Sequence, residues 1–308
     1  MVWNKSKTSP KGVIMLMLTA LIWGSSFVAQ SVGMEKIEAF TFNGIRTLLG
    51  AAFLLPFIVV RERAAAKKMS EQEKKEKKEI NKRTWLAGIP ISIVFFIACN
   101  FQQFAFYYST AGKIAFVTAL YMFFVPILGL FIGKKVRALT WLSVVMGFVG
   151  LYFLCVNPDD LKDINKGDLL ALICAFFYAI HILLLERNAE KIDGIRLSAI
   201  QLLLSGTVTC VLMFIFENPD ISAIKTAAVP IMYAGIMSCG VAYTFQIIGQ
   251  KYCEATIASL ILCMESVFAV LAAALLLHET LSGREITGCV VMFAAVILSQ
   301  VAEIKNSR

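Results

Sequence analysis

Two stretches of the chain decide the fold: KGVIMLMLTALIWGSS at residues 11–26 and KGDLLALICAFFYAIH at residues 166–181. Each begins with Lys-Gly and continues as an apolar segment that carries aromatic and small polar residues. They lie 155 residues apart (166 minus 11) in a chain of 308 residues. The sequence therefore predicts two like halves, which we place at residues 1–158 and 159–308.

The composition is that of an integral membrane protein. Hydrophobic residues make up 58% of the chain, charged residues make up 16%, and the mean hydropathy is +0.75. Soluble domains carry about 45–50% apolar and about 25% charged residues. A bilayer-spanning helix needs about 20 mainly apolar residues. Ten such runs occur, at residues 12–31, 39–60, 85–107, 112–133, 138–156, 168–185, 195–216, 226–249, 255–277 and 286–301.

The repeat determines how these spans are arranged. Five spans per half is an odd number, so the second copy must enter the bilayer from the opposite side. Beyond the second span of each copy the shift falls to 144 residues, which places Gln102 on Gln246 and Tyr121 on Glu265. We therefore predict an all-α integral membrane protein whose ten transmembrane helices form two inverted five-helix repeats, a build that is common among secondary transporters.

Basic residues predict the orientation in the membrane. With the N-terminus in the cytoplasm, 22 of the 29 Lys and Arg residues fall in inner loops and tails. The positive-inside bias thus predicts a multi-pass protein of the cell membrane with both termini cytoplasmic. The net charge of +8 lies where the inner membrane surface would attract it, so no nucleic-acid partner is needed to explain it.

Residues 61–84 form a basic cytoplasmic loop, and most of it is the one low-complexity stretch of the chain. Its Glu71/Lys75 and Glu73/Lys77 pairs have helical i,i+4 spacing. We expect a solvated helix or a frayed segment there.

Several motifs together resemble the EamA family, a branch of the drug/metabolite transporter superfamily. They are LIWGSSF at residues 21–27, Arg46, STAGKIAFVTALYMFFVPIL at residues 109–128 and EATIASLILCMESVFAVLAAALLLHETL at residues 254–281. The chain departs from the family pattern at Ser266, where proline is frequent, and at His278, where glycine is frequent. The resemblance covers the whole chain and implies transport of amino acids, their derivatives or other small metabolites, for which we expect export.

Two charged residues lie inside predicted spans. Glu265 is the eleventh of the 23 residues assigned to the ninth span, where an ionised acid costs roughly 2.5 kcal/mol or more unless it is paired or hydrated. It is either a solute or proton site in a central cavity, or a buried carboxyl that bonds helices together. Arg46 lies about two turns (~7 residues) inside the second span. It is either a structural anchor or gate pair, or a direct contact for an anionic group.

Polar and aromatic side chains recur on matching helix faces of the two halves. Trp23 and Ser26 share a face of the first span, and Tyr178 and His181 share the equivalent face of the sixth. The predicted solute-binding residues are Trp23, Ser26, Asn100, Gln102, Tyr121, Tyr178, His181, Tyr243, Gln246 and Glu265. The alternative is that the small polar residues join helices and the aromatic residues pack. His181 is either a proton relay or a packing residue.

Pro126 falls in the middle of the predicted fourth span, where it removes a backbone hydrogen bond and can bend the helix. Such a bend is either a gating hinge or a static kink. We assign Pro126 to gating together with Arg46.

The leading hypothesis is a secondary transporter that moves a small polar metabolite by alternating access around a central cavity. Its expected partners are a small-molecule solute and the lipid bilayer, with protons as a candidate coupling ion and a homodimer as a candidate assembly. The eight cysteines show no paired metal-type spacing, so we expect no metal and no cofactor.

Two other classes of function are alternatives. An intramembrane enzyme could use Ser25 or Ser26 with His181, but no nucleophile motif surrounds the serines and no third member is evident. A sensor or scaffold that does not transport would need an effector surface, for which residues 61–83 are the one sizeable cytoplasmic segment.

Overall fold

The computed structural model describes residues 8–66, 69–156, 165–276 and 282–307. These ranges contain helices and no strand, and ten helical spans are long and apolar enough to cross a membrane. The helices are α1 (Pro10–Met34), α2 (Ala39–Ala66), α3 (Glu71–Ala105), α4 (Ala111–Thr118), α5 (Tyr121–Phe131), α6 (Ala138–Cys155), α7 (Lys166–Asn188), α8 (Gly194–Phe216), α9 (Ile221–Thr226), α10 (Ala228–Tyr233), α11 (Tyr243–Gln250), α12 (Ala255–Leu262), α13 (Met264–Leu276) and α14 (Gly283–Ser307). The predicted fold class is confirmed, while His278 lies outside the described residues.

Three of the spans are interrupted within the membrane. The fourth span consists of α4 and α5, and the ninth consists of α12 and α13. The eighth consists of α10, a π-helical segment at Ala234–Ala242 and α11. In hydrocarbon an interrupted helix is tolerated only where it is buried in protein or lines a cavity. These breaks therefore indicate where a site lies.

The Lys-Gly pair at the start of each copy has a packing role. A Cβ on Gly12 would lie 2.9 Å from the carbonyl oxygen of Tyr252, just beyond α11, and a Cβ on Gly167 would lie 2.9 Å from the carbonyl oxygen of Ala105 in α3. Each glycine thus lets the first span of one half approach the third span of the other. A polar cap precedes each pair: Ser9 accepts from the Gly12 amide, and Asn165 forms a capping box at the start of α7.

The two halves interleave and do not form two separate bundles. The most extensive helix contacts are α6 with α14, α2 with α8, α3 with α7 and α1 with α13, and each joins the first half to the second. The hydrophobic core consequently contains residues of both halves.

An axis of approximate twofold symmetry, the pseudo-twofold axis, relates the two halves and passes between the breaks of the fourth and ninth spans. Residues related by the shift of 144 contact each other there, as symmetry mates do only near an axis. The Cys263 thiol lies 3.4 Å from the Ala119 carbonyl oxygen, to which it donates, and the Tyr121 hydroxyl lies 3.5 Å from Glu265 Oε1. The short-range backbone bond from Met122 N to Ala119 O (3.1 Å) recurs as the bond from Ser266 N to Cys263 O (3.2 Å).

Pro126 does not mark the break of the fourth span. The helix is interrupted at Ala119 and Leu120, and Pro126 lies within the regular α5. The ninth span breaks at the equivalent Cys263 although it carries Val270 in place of the proline. The bend is therefore a property of the repeat and not of Pro126, whose role in gating stays a prediction.

Polar contacts at both membrane faces hold α2 against α8. At the face that holds the N-terminus, Arg61 pairs with Asp193 and Glu62 pairs with Arg196. At the opposite face the Glu217 carboxylate accepts hydrogen bonds of 2.7 Å from the Phe40 amide, the Thr41 amide and the Thr41 hydroxyl. These donors lie in the first turn of α2, where a negative charge is stabilising.

The predicted basic loop is largely helical. The helix α2 continues to Ala66 and α3 begins at Glu71, with Ser70 and Glu73 forming a capping box. Within it, Glu71 pairs with Lys74, and Glu73 accepts from the Ser70 backbone amide.

Close packing of α6 on α14 yields the first prediction. A Cβ on Gly150 would lie 2.9 Å from Met292 N, and a Cβ on Gly288 would lie 2.8 Å from Leu154 N. We expect Gly150→Ala and Gly288→Ala each to lower the free energy of unfolding by about 1–3 kcal/mol, because backbone atoms must move apart. Thermal unfolding of the detergent-solubilised protein measures this.

The control is Gly112→Ala, because a Cβ there would have its nearest neighbour at 3.9 Å. A melting temperature of Gly150→Ala equal to that of the control would contradict the proposed packing.

Candidate functional site

A polar cavity lies between the two halves next to the pseudo-twofold axis. The space between its side chains, counted out to the open solvent, is about 460 Å³. Its lining residues are Trp23, Phe27, Gln30, Arg46, Gln102, Thr118, Tyr121, Tyr178, Ile182, Ser238, Tyr243, Gln246, Leu262 and Glu265. Spans from both halves contribute, and each of the three interrupted spans supplies at least one residue.

Aromatic rings form one wall of the cavity. The rings of Trp23 and Tyr243 lie 4.8 Å apart, and the hydroxyls of Tyr178 and Tyr243 are hydrogen-bonded at 2.8 Å. The Cys99 thiol lies 3.1 Å from the Tyr178 hydroxyl and ties this wall to α3. Gly24 sets the position of Trp23, because a Cβ there would lie 2.5 Å from the Glu265 carbonyl oxygen. The glycine of the WGSS motif thus brings α1 close to α13.

A basic and an acidic side chain, Arg46 and Glu265, line the same cavity. The Arg46 side chain is 4% exposed, its Nε donates to Asn43 Oδ1 at 3.0 Å, and its guanidinium lies 5.5 Å from the centre of the Phe42 ring. In the described part of the chain no carboxylate forms an ion pair with it. Glu265 is also 4% exposed, and its one hydrogen bond to a described residue is the 3.5 Å contact with Tyr121. Arg46 and Glu265 therefore both keep hydrogen-bonding groups that a ligand could contact.

Several uncharged polar atoms around the cavity also lack a protein partner. They include Trp23 Nε1, Gln30 Oε1 and Gln246 Oε1, each buried without a hydrogen bond to the described residues. Buried polar atoms without a partner are uncommon and indicate a place for water or ligand. The cavity therefore offers donors and acceptors beside its two charges.

Most of the sequence-predicted site residues meet at this cavity. Those that line it are Trp23, Gln102, Tyr121, Tyr178, Tyr243, Gln246, Glu265 and Arg46. Their use in solute binding stays a prediction. Sequence reasoning missed Phe27, Thr118, Ile182, Ser238 and Leu262. Gln30 shares the helix face of Trp23 and fits a cavity wall by its spacing, but the predicted set does not include it.

The repeat relates four of the missed residues to one another. Phe27 and Ile182 are related by the shift of 155 and lie one helical turn beyond Trp23 and Tyr178. Thr118 and Leu262 are related by the shift of 144 and lie just before the two helix breaks. Ser238 lies in the π-helical segment, for which the sequence carries no recognisable signal.

Three of the predicted solute-binding residues lie off the cavity lining, as does Pro126, which we assign to gating. His181 is fully buried and its Nε2 is 3.0 Å from Gln201 Oε1, which holds the ring between α7 and α8. Asn100 donates to the Phe96 carbonyl oxygen and to the Thr209 hydroxyl, so its amide joins α3 to α8. Ser26 is fully buried and its hydroxyl has no partner among the described residues.

The serine–histidine pair required by the enzyme hypothesis is not formed. The Ser25 hydroxyl bonds the carbonyl oxygens of Leu21 and Ile22 and lies 2.6 Å from the Tyr233 hydroxyl. Neither Ser25 nor Ser26 is hydrogen-bonded to His181 within the described ranges. No group of His, Cys, Asp or Glu residues there is arranged to hold a metal ion.

Comparisons with known proteins agree with this architecture. The sequence model of the EamA-like transporter family matches residues 10–156 and 165–300. An "uncharacterized transporter" of Archaeoglobus fulgidus is 27% identical over 290 residues, which cover 92% of this chain and 83% of that protein. The "uncharacterized transporter YoaV" of Bacillus subtilis is 24% identical and covers 94% of this chain and 96% of its own.

A solved structure, described only as "Crystal structure of protein", supports the fold alone. It superposes with a TM-score of 0.74 at 15% identity, over 96% of this chain and 99% of that chain.

Ten spans, two inverted copies and a polar cavity where interrupted helices meet define a multi-pass membrane transporter for a small-molecule solute. The chain belongs to the EamA-like transporter family, whose model matches nearly its whole length. The relatives named as transporters point away from an enzyme.

The different surroundings of Glu217 and Glu265 yield the second prediction. Replacing Glu217 with Gln turns one carboxylate oxygen into an NH₂ group, which cannot accept from Phe40 or Thr41, and removes the negative charge at the first turn of α2. We expect this to cost about 1–2 kcal/mol of unfolding free energy. The same change at Glu265 keeps an oxygen that can accept from Tyr121 and removes a poorly compensated buried carboxyl, so we expect unchanged or higher stability.

Thermal unfolding of Glu217→Gln and Glu265→Gln in one detergent measures both effects. The two variants share the same chemical change, so each serves as the control of the other. A larger loss of stability in Glu265→Gln would mean that this carboxyl holds the fold together.

Proposed function

We propose that the protein moves a small zwitterionic or cationic metabolite, such as an amino acid or an amine, across the cell membrane. The observation that carries the proposal is the presence of Arg46 and Glu265 in one aromatic-lined cavity. The guanidinium suits a carboxylate, which it can bind with two parallel hydrogen bonds. The aromatic faces and Glu265 suit an ammonium group. The amides of Gln102 and Gln246 orient the remaining polar atoms.

The chemistry of Glu265 supports proton coupling. A buried carboxylate needs a positive partner, which is either a proton or the cationic group of a solute. Glu265 has one weak protein partner, so the two compete for it. Binding the solute then releases the proton, and proton uptake from the other side releases the solute. This exchange corresponds to export of the solute driven by proton entry.

Alternating access requires a gate at each membrane face. At the proposed cytoplasmic face, Glu186 at the end of α7 pairs with Lys134 beyond α5 and accepts from the Ala255 amide at the start of α12, 3.1 Å away. One carboxylate therefore joins the fourth, sixth and ninth spans. Because the fourth and ninth spans are equivalents in the two halves, their separation would open the cavity to this face.

The third prediction concerns transport. In reconstituted liposomes we expect saturable flux for at least one solute in a panel of amino acids, quaternary amines and nucleosides. Glu265→Gln should lower this flux at least tenfold and remove its dependence on the proton gradient, because the amide cannot exchange a proton. The control is Glu76→Gln, the same change on the exposed part of α3.

Absence of saturable flux for every solute in the panel would count against the transport proposal. Unchanged flux and pH dependence in Glu265→Gln would leave transport standing and remove Glu265 from the site.

The fourth prediction concerns the cytoplasmic gate. Burial lowers the pKa of Lys134 to about 8, and the Glu254 carboxylate partly opposes this shift. Glu186→Gln removes the charge that pairs with Lys134, so α12 should separate more often from α5 and α7. We expect faster hydrogen–deuterium exchange of the backbone amides of residues 255–262. As Lys134 loses its charge, the wild-type protein should approach the same behaviour above about pH 8, after correction for the intrinsic rate of exchange.

Glu79→Gln is the matched control, because its Arg83 partner lies on the same exposed helix segment. Equal exchange at residues 255–262 in Glu186→Gln and in the control would remove Glu186 from the gate.

A further inference from the structure

Arg46 stands at the end of a buried chain of hydrogen bonds. Its Nε donates to Asn43 Oδ1 at 3.0 Å, and Asn43 Nδ2 donates to Asn100 Oδ1 at 2.9 Å. Asn100 Nδ2 in turn donates to the Phe96 carbonyl oxygen at 2.8 Å and to the Thr209 hydroxyl at 3.1 Å. The chain runs from the cavity through α2 and α3 to α8, and each of its side chains is buried.

The donor and acceptor roles along this chain of hydrogen bonds are fixed at the end where Asn100 meets the Phe96 carbonyl oxygen. A backbone carbonyl can only accept, so the Phe96 oxygen requires the NH₂ group of Asn100 on its side. The Asn100 oxygen then faces Asn43 and requires the NH₂ group of that residue. The Asn43 oxygen is left facing Arg46, where it accepts from Nε. The backbone of α3 therefore sets the orientation of the guanidinium two side chains away.

The second half contains an equivalent chain of hydrogen bonds, in which hydroxyl groups replace the two side-chain amides. Asn43 corresponds to Ser198 by the shift of 155, and Asn100 corresponds to Thr244 by the shift of 144. The Thr244 hydroxyl donates to the Gly240 carbonyl oxygen at 2.7 Å and lies 2.9 Å from the Ser198 hydroxyl. Gly240 is itself the equivalent of Phe96.

Comparison of the two halves separates the hydrogen bond that joins the second and third spans from the hydrogen bond that holds Arg46. A hydroxyl pair is sufficient to join the second and third spans of a half, as Ser198 and Thr244 do. The amide pair in the first half has the additional reach to accept from Arg46. At the position equivalent to Arg46 the second half has Gln201, which bonds His181 away from the cavity lining.

We propose that Asn43 and Asn100 are positioning residues that hold the Arg46 guanidinium so that its terminal nitrogens face a carboxylate group of the solute. The proposal rests on the proposed function, because it assigns Arg46 to an anionic group of the cargo. The bond to Nε restricts the guanidinium plane and leaves both terminal nitrogens available for a bidentate contact. Asn43 and Asn100 themselves lie off the cavity lining and act through Arg46.

The experiment compares two variants of the first half with two of the second. Asn43→Ala removes the acceptor for Arg46 Nε. The double variant Asn43→Ser/Asn100→Thr copies the hydroxyl pair of the second half, so it keeps the link between spans while serine is too short to reach Arg46. The matched controls are Ser198→Ala and Thr244→Val, which break the equivalent chain in the other half.

Two readouts are measured on each full-length variant. The first is the KM of transport for L-phenylalanine and for phenethylamine, which lacks the carboxylate. The second is the exchange rate and chemical shift of the Arg46 Nε–H in protein labelled with ¹⁵N-arginine, with the resonance assigned by its loss in Arg46→Lys. The second readout does not depend on transport.

We expect both first-half variants to raise the KM for L-phenylalanine roughly tenfold and to leave that for phenethylamine unchanged, since one charge-assisted contact is lost. Their Nε–H should exchange faster and shift, while both controls match the wild type. An unaltered Nε–H in Asn43→Ala would overturn the proposal, as would an equal change in Ser198→Ala. An altered Nε–H with unchanged KM values would support the chain of hydrogen bonds and contradict the assignment of Arg46 to the solute.

Discussion

The hydrocarbon core of a membrane offers no water, so every polar group inside it must find a partner within the protein. This constraint governs the two breaks at the centre of the structure. Where the fourth span is interrupted, the Ala119 carbonyl oxygen accepts from the Met122 amide at 3.1 Å and also from the Cys263 thiol at the equivalent break of the ninth span. The two broken spans therefore meet each other, and two residues further on they bring Tyr121 and Glu265 face to face. The place of the cavity follows from this contact.

The duplication then gives the cavity two walls of similar shape and different chemistry. Five pairs of lining residues are related by the repeat: Trp23/Tyr178, Phe27/Ile182, Gln102/Gln246, Thr118/Leu262 and Tyr121/Glu265. Gln102 and Gln246 are identical, which fits a position that both halves use in the same way. Tyr121 and Glu265 differ most, since an acid faces a phenol across the axis. A symmetric frame thus holds an asymmetric site, which fits the solute with two unlike ends proposed above.

Most of the architecture could be predicted from the sequence, because the apolar segments are long and the pattern of the first half recurs in the second. Runs of about 20 apolar residues determine the spans, and a shift of 155 residues shows the duplication. The breaks were hidden, since neither Ala119 nor Cys263 is a glycine or proline. Among buried residues, helical spacing identified Trp23 and Tyr178 as cavity residues but grouped His181 with them, while Glu265 was identified by its acidic side chain in the middle of a span. Helical spacing predicts which residues share a face of a helix. The partner of each polar group depends on which neighbouring helix packs against that face, and the spacing does not predict this.

Arg46 and its equivalent in the second half, Gln201, show how the two copies of the repeat differ. In the second half Gln201 bonds His181, so the seventh span is joined to the sixth. The corresponding bond in the first half would join Arg46 to Ser26, but the Ser26 hydroxyl has no partner among the described residues. Arg46 is instead held by Asn43. The same backbone position therefore closes a contact between helices in one half and presents a charge to the cavity in the other. Since the fold tolerates the neutral Gln201 at the equivalent position, the packing of the repeat does not by itself require the charge of Arg46, and the proposed contact with the solute gives that charge a role.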